Sequence, residues 1–311
     1  MRYLILIVYI LLYHEQGFSQ ETKFVLKNKT EFIEEFYVLK NDKDVKHGTY
    51  VKYRNTFNGV QILESGEYND GEKNGLWQYF YDIPTKHSRN SIKEKGNYVN
   101  GKKNGIWTSY YLDTIPEIVK SEKFGNKRKI DSLNIYIDQQ SAKLMTAGMY
   151  LNDKRVGEWT SFNYLGEMAQ KYNFTTSNLM FDSSIKDSLV YNLNRKPLFI
   201  GGQVCLSSFL HNNINLPPIM SKVKGDSTNA LITFKINEQG DIEDINVNSN
   251  TESKVLRDEM TRLVTATNSK WLPGLKDGIK IKCVYKIRYD LIRTKTSETS
   301  YRFKTFFTIL E

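Results

Sequence analysis

Apolar and polar positions alternate along much of this chain with the two-residue period of a β-strand, and the alternation comes in copies. Leu76-Trp-Gln-Tyr-Phe-Tyr81 alternates and is aromatic-rich, a composition that strands favour. Lys73-Asn-Gly-Leu-Trp-Gln-Tyr-Phe80 aligns with Lys103-Asn-Gly-Ile-Trp-Thr-Ser-Tyr110 and Arg155-Val-Gly-Glu-Trp-Thr-Ser-Phe162, and more loosely with Lys46-His-Gly-Thr-Tyr-Val-Lys-Tyr53. Three of these copies follow a shorter lead: Gly66-Glu-Tyr-Asn-Asp-Gly71, Gly96-Asn-Tyr-Val-Asn-Gly101 and Gly148-Met-Tyr-Leu-Asn-Asp153. Gly48, Gly75, Gly105 and Gly157 lie 27, 30 and 52 residues apart, so the last interval holds two periods. Lys129-Ile-Asp-Ser-Leu133 falls at its middle with Leu133 in the tryptophan slot, and it reads as the degenerate fourth of five units.

Each unit predicts a β-hairpin. Asp70-Gly71, Asn74-Gly75, Asn100-Gly101 and Asn104-Gly105 are pairs that accept the positive φ of tight turns. A lone hairpin is marginal in water, so residues 20–165 are expected to stack into an elongated sheet with contacts between neighbouring units. Trp77, Trp107 and Trp159 occupy one slot of the repeat. Period and burial account for them as packing residues, in preference to a row that stacks sugars or lipids. Residues 166–190 lack the repeat and carry the polar clusters Thr175-Thr-Ser177 and Asp182-Ser-Ser184, which suit a connector.

Beyond residue 190 the pattern changes to a small α+β unit. It predicts a helix near Gln203 to Asn212, a hairpin over 229–248 turning at Gly240, a helix over 252–267 and a strand over 281–290. Phe234, Ile236, Ile242, Ile245 and Val247 are core candidates, with Leu256, Met260, Leu263 and Val264 as the helix face above them. Ile281, Cys283, Tyr285, Ile287 and Tyr289 share one face of the last strand, leaving Lys282, Val284, Lys286 and Arg288 on the other. Tyr301 to Ile309 alternates as well and forms a tail, 293–311, able to add a strand.

Two resemblances follow from these motifs. Pro197-Leu-Phe-Ile-Gly-Gly202, Leu216-Pro-Pro218, the two hairpin strands, the amphipathic helix and Trp271-Leu-Pro-Gly274 resemble, in that order, the C-terminal domain of TonB in its Bacteroidetes version, over residues 191–292. Leu216 stands where that version has a tyrosine. The Gly-x-Tyr and Gly-x-Trp units over about 35–164 resemble MORN repeats of exported bacterial proteins. The TonB resemblance implies a domain that lends a sheet edge to an extended peptide. It makes Lys280 to Asp290 the edge, with Lys282, Val284, Lys286 and Arg288 as candidate partner-binding residues. The other outcome is that Tyr301 to Ile309 covers this edge within the chain.

Composition narrows the function classes. The net charge of +9 is spread along the chain rather than clustered, which argues against nucleic acid. Arg2, the apolar run Tyr3 to Tyr13, and Gly17 and Ser19 match a cleavable signal peptide over residues 1–19, and the run is shorter than a bilayer span. Export places the protein in the periplasm or on the cell envelope, where Cys205 and Cys283 could pair or remain core thiols. His47, His87 and His211 show no ligand spacing, and no nucleophile elbow or phosphate loop is present, so no metal, cofactor or catalysis is expected. The reading is an exported, non-catalytic envelope binding protein whose partner is a protein, such as an outer-membrane transporter, or peptidoglycan. A TonB-type energy transducer that retains its N-terminal anchor and an envelope hydrolase of unrecognised type are the alternatives. Cleavage is checked by intact-mass measurement of protein recovered from its own envelope fraction, which should lack the first 19 or 20 residues. Retention of Met1 in a membrane pellet would favour the transducer.

Overall fold

The computed structural model describes residues 20–56, 59–82, 91–112, 143–185, 193–215, 227–295 and 301–310. The expected signal peptide and the degenerate fourth unit lie outside these residues. The protein is mostly β. A sheet of eleven strands runs in chain order. Its first seven strands are β1 (Thr22–Asn28), β2 (Ile33–Leu39), β3 (Lys46–Thr56), β4 (Gly59–Asn69), β5 (Glu72–Phe80), β6 (Ile92–Val99) and β7 (Lys102–Tyr110). The last four are β8 (Leu144–Leu151), β9 (Lys154–Phe162), β10 (Met168–Asn173) and β11 (Asn178–Asp182). Among the described residues, one compact unit holds β1 to β7 with residues 150–154, and a second holds 143–149 and everything from 155 onward.

In the first unit, two of the hairpin turns are each made by one residue pair. Asp70-Gly71 and Asn100-Gly101 both take positive φ, as the tight turns between β4 and β5 and between β6 and β7 require. Asn74-Gly75 and Asn104-Gly105, expected to be turns as well, lie inside β5 and β7. There Gly75 and Gly105 have φ of 66° and 73° at register breaks. A chain that has reversed at Gly71 has no room to reverse again four residues later. The second glycine instead takes the left-handed conformation of a bulge.

That bulge places the tryptophans. Glu67 pairs with Asn74 and Ser65 with Gln78, so Gly66 alone faces Gly75 to Trp77 and receives the indole ring. A Cβ on Gly66 would stand 2.4 Å from the Trp77 ring; one on Gly96 would stand 2.2 Å from the ring of Trp107. Trp77 and Trp107 are 0% and 1% exposed, and their Nε1 atoms donate to the carbonyls of Glu67 (3.0 Å) and Asn97 (3.1 Å). Tyr98 stands edge-on to both rings, at 6.0 and 5.2 Å, which links one hairpin to the next. Every polar and apolar surface of these indoles is used within the sheet.

In the second unit, Trp159 repeats the arrangement over Gly148, with its Nε1 donating to Met149 O at 3.0 Å. The expected connector contributes β10 and β11 instead. Its polar cluster is their turn: the Asn173 carboxamide accepts from the N–H groups of Thr175 and Thr176, and Ser177 takes a φ of 51°. The chain then forms β12 (Leu198–Phe199), α1 (Gly202–Asn213), β13 (Ser227–Ile236), β14 (Ile242–Ser249) and α2 (Lys254–Thr265). It closes with β15 (Trp271–Leu272), β16 (Gly274–Lys276), β17 (Ile279–Ile281), β18 (Cys283–Lys295) and β19 (Tyr301–Leu310). A four-stranded sheet has the order β14-β13-β18-β19.

Its core joins Phe234 and Ile236 to Leu256, Met260, Leu263 and Val264 of α2, to Leu206 and Leu210 of α1, and to Trp271. Ile242, Ile245 and Val247 pack at its margin. Their uneven spacing is explained by Asp244, whose φ of 52° interrupts the alternation where β13 and β14 shift register.

The glycine–tryptophan contact is open to a mutant cycle. Trp107→Ala should cost about 3–5 kcal/mol, the range for removing a buried large aromatic. Gly96→Ala should cost about 1–3 kcal/mol by overpacking. Thermal melts of the two single variants and the double should be strongly non-additive, since Gly96 is bare to receive Trp107.

Candidate functional site

The strand expected to be a free edge lies inside the sheet. β13 pairs with β18 from Ser227↔Ile292 to Ile236↔Cys283, and β19 pairs with its other side from Lys295↔Tyr301 to Lys286↔Leu310. The tail is therefore the covering strand. Phe307 and Ile309 pack on the core, and Phe307 lies 5.1 Å from the Tyr289 ring. This burial of apolar area favours intramolecular pairing over an open edge.

The four candidate residues part company here. Lys286 and Arg288 face Leu310 and Thr308 across the ladder, and Arg288 also holds Asp290 at 3.0 Å. Lys282 is bridged to Glu243 at 2.7 Å, and that contact raises its pKa. Val284 is 54% exposed and lies beyond the last residue pair of β19. From Cys283 to Tyr285, β18 is paired with β13, and the described pairs of β19 run as far as Lys286.

A groove of about 580 Å³ opens beside Cys283, Val284 and Tyr285. Pro197, Leu198 and Phe199 form part of its wall, with Tyr285, Ile309 and Leu310. Asp182, Asn194 and Gln203 add polar groups. Pro197-Leu-Phe199 is held by pairing of β12 with β15 and by Phe199 standing 5.3 Å from Trp271, edge to face. An apolar wall with polar groups at its ends can receive an extended peptide.

Behind the groove lies a buried polar network. Gln170 is 1% exposed; its Nε2 donates to Asp182 (2.8 Å) and to Phe199 O (3.0 Å), and its Oε1 accepts from the Gly201 N–H (2.5 Å). Asp182 also accepts from the N–H and hydroxyl of Ser184. The β10–β11 hairpin thereby grips the entry to α1. Nothing in the sequence marks Gln170, because a buried glutamine and an exposed one look alike in a strand.

Cys205 and Cys283 are free thiols. Burial pushes Cys205 up to about 11, with Arg155 opposing, and raises Cys283 as well, aided by Glu238, so both remain protonated at neutral pH. Each packs against a glycine, Cys205 against Gly201 and Cys283 against Gly274. His47, beside Asp70, and His211, beside Ser207, are not in the groove lining. No helix among the described residues is long and apolar enough to cross a membrane. Comparison with protein-family models, with curated proteins and with solved structures returns no match.

Replacing Gln170 with alanine strands the Gly201 N–H and one side of the Asp182 carboxylate. The expected cost is on the order of 2 kcal/mol. Hydrogen exchange should speed up in 193–213, while protection of β5 to β7 stays unchanged.

Proposed function

We propose that the protein is an exported, non-catalytic binding protein of the cell envelope. Its C-terminal domain, which resembles that of TonB, docks an extended segment of a protein partner, such as an outer-membrane transporter, and the MORN-like hairpins serve as its scaffold. The observation that carries this reading is the groove beside Val284, with its apolar wall of Pro197, Leu198 and Phe199. An extended segment in such a groove gains affinity from backbone hydrogen bonds and selectivity from side-chain pockets. Val284 and Tyr285 are the residues that meet the docked segment, whereas Lys286 and Arg288 meet it only if β19 is displaced.

The test places a photo-crosslinking phenylalanine analogue at Val284, at Arg288, or at Val255 on the exposed side of α2, in the full chain within intact cells. Val284 should yield a discrete adduct whose mass spectrum maps to one extended segment of an envelope protein. Arg288 should yield the same adduct only after deletion of residues 301–310. Equal labelling from Val255, or none from Val284, would remove the basis for the proposal.

A further inference from the structure

The last copy of the repeat departs from the others at the acid beside its tryptophan. Lys73 and Lys103 lie 3.8 Å from the centroids of Trp77 and Trp107 and are held by Glu64 and Glu94, at 3.5 and 2.8 Å. Those glutamates stand two residues before Gly66 and Gly96; before Gly148 the same place is Thr146, and the cation of that copy is Arg155. The Arg155 guanidinium lies 4.6 Å from the centroid of Trp159 and 5.4 Å from that of Phe174. Lys270, beyond the end of α2, lies 4.3 Å over the Phe209 ring of α1 and donates to Ala266 O at 3.0 Å. The charge of Arg155 reaches both Lys270 and the thiol of Cys205, which stands one turn before Phe209 on α1. Two exposed cations, one from β9 and one from beyond α2, thus meet the same face of α1, whose start Gln170 holds against β10.

We infer that Arg155 and Lys270 form a binding site for a phosphate dianion, free or as a monoester. Like charges held close on a fixed frame repel, and an anion between them relieves that repulsion. Burial and then Arg155 lower the pKa of Lys270, and no carboxylate among the described residues offsets this, whereas Glu64 offsets burial at Lys73. The acids adjacent in the chain are directed elsewhere. Glu158, next to Trp159, holds Lys171 at 2.5 Å on the opposite side of β9, and Asp241 accepts from Ser269, next to Lys270, at 3.1 Å. A dianion matches two cations, and the planar guanidinium presents paired donors that fit two phosphate oxygens. Both cations belong to the second unit and lie outside the groove lining, so the inference is independent of peptide docking at Val284.

The test is a phosphorus NMR titration of the full chain at constant ionic strength set with chloride, with inorganic phosphate in one arm and glycerol 3-phosphate in the other. Saturable binding is expected. Tighter binding of glycerol 3-phosphate identifies a monoester as the occupant, and equal or tighter binding of inorganic phosphate identifies the phosphate group alone. Lys270→Gln should weaken binding about tenfold, the scale of one charged hydrogen bond. Thr146→Glu, which installs the acid of the other copies beside Arg155, should weaken it as much while the melting temperature holds. Lys154→Gln, which removes an exposed charge next to Arg155, should leave the affinity within about twofold. If Lys270→Gln or Thr146→Glu melts lower, the other serves the same comparison. No saturable binding in either arm, unchanged affinity in a folded Lys270→Gln or Thr146→Glu, or an equal loss in Lys154→Gln would each overturn the inference.

Discussion

An indole ring laid on a bare glycine backbone is the contact on which the hairpin sheet depends. A β-sheet must bury one face against something, and here the strands bury their largest side chains against their own neighbours. The missing Cβ of Gly66, Gly96 and Gly148 lets each ring settle onto the adjacent strand, and the bulge at Gly75 or Gly105 rotates its tryptophan into place. The ring is then closed over by a lysine stem from its own strand and by tyrosines from two hairpins. Lysine in this position gains a cation–π contact while its ammonium group keeps a carboxylate partner. Desolvation lowers the pKa of Lys46 and of Lys73, and the neighbouring glutamates oppose that shift, so the acid half of each pair is part of the packing rather than ornament.

The second unit solves a different problem. Its four-stranded sheet buries one face under two helices, so its core is assembled from distant segments: Phe199, Phe234, Trp271 and Tyr285 meet around a single cluster. Gly240 is required because Trp271 O would lie 2.2 Å from a Cβ there. The Gln170 network then ties the last hairpin to the entry of α1 with hydrogen bonds that no water can replace without opening the core. The tail adds the outermost strand of the sheet, and its described pairs run to Leu310, opposite Lys286.

Local chemistry was legible wherever one residue type has one physical use. The repeat, the α+β pattern after residue 190, the hairpin at 227–249 and the helix at 254–265 follow from alternation, glycine turns and amphipathic spacing, signals that act within a few residues. The tryptophan slot could be read as packing because its period matches the hairpin. What tertiary structure decided depends on partners far apart in sequence. Whether Asn-Gly makes a turn or a bulge depends on where the chain has already reversed, so Asn74-Gly75 differs from Asn100-Gly101 despite equal propensity. The turn cluster at Thr175 reads as a connector until Asn173 and the strands on both sides are in register. Lys282, Val284, Lys286 and Arg288 share one face by alternation, yet Lys286 and Arg288 lie against β19, Lys282 holds Glu243 and Val284 is exposed. Alternation tells which way a side chain points; only the neighbouring strand decides whether the backbone beside it is free.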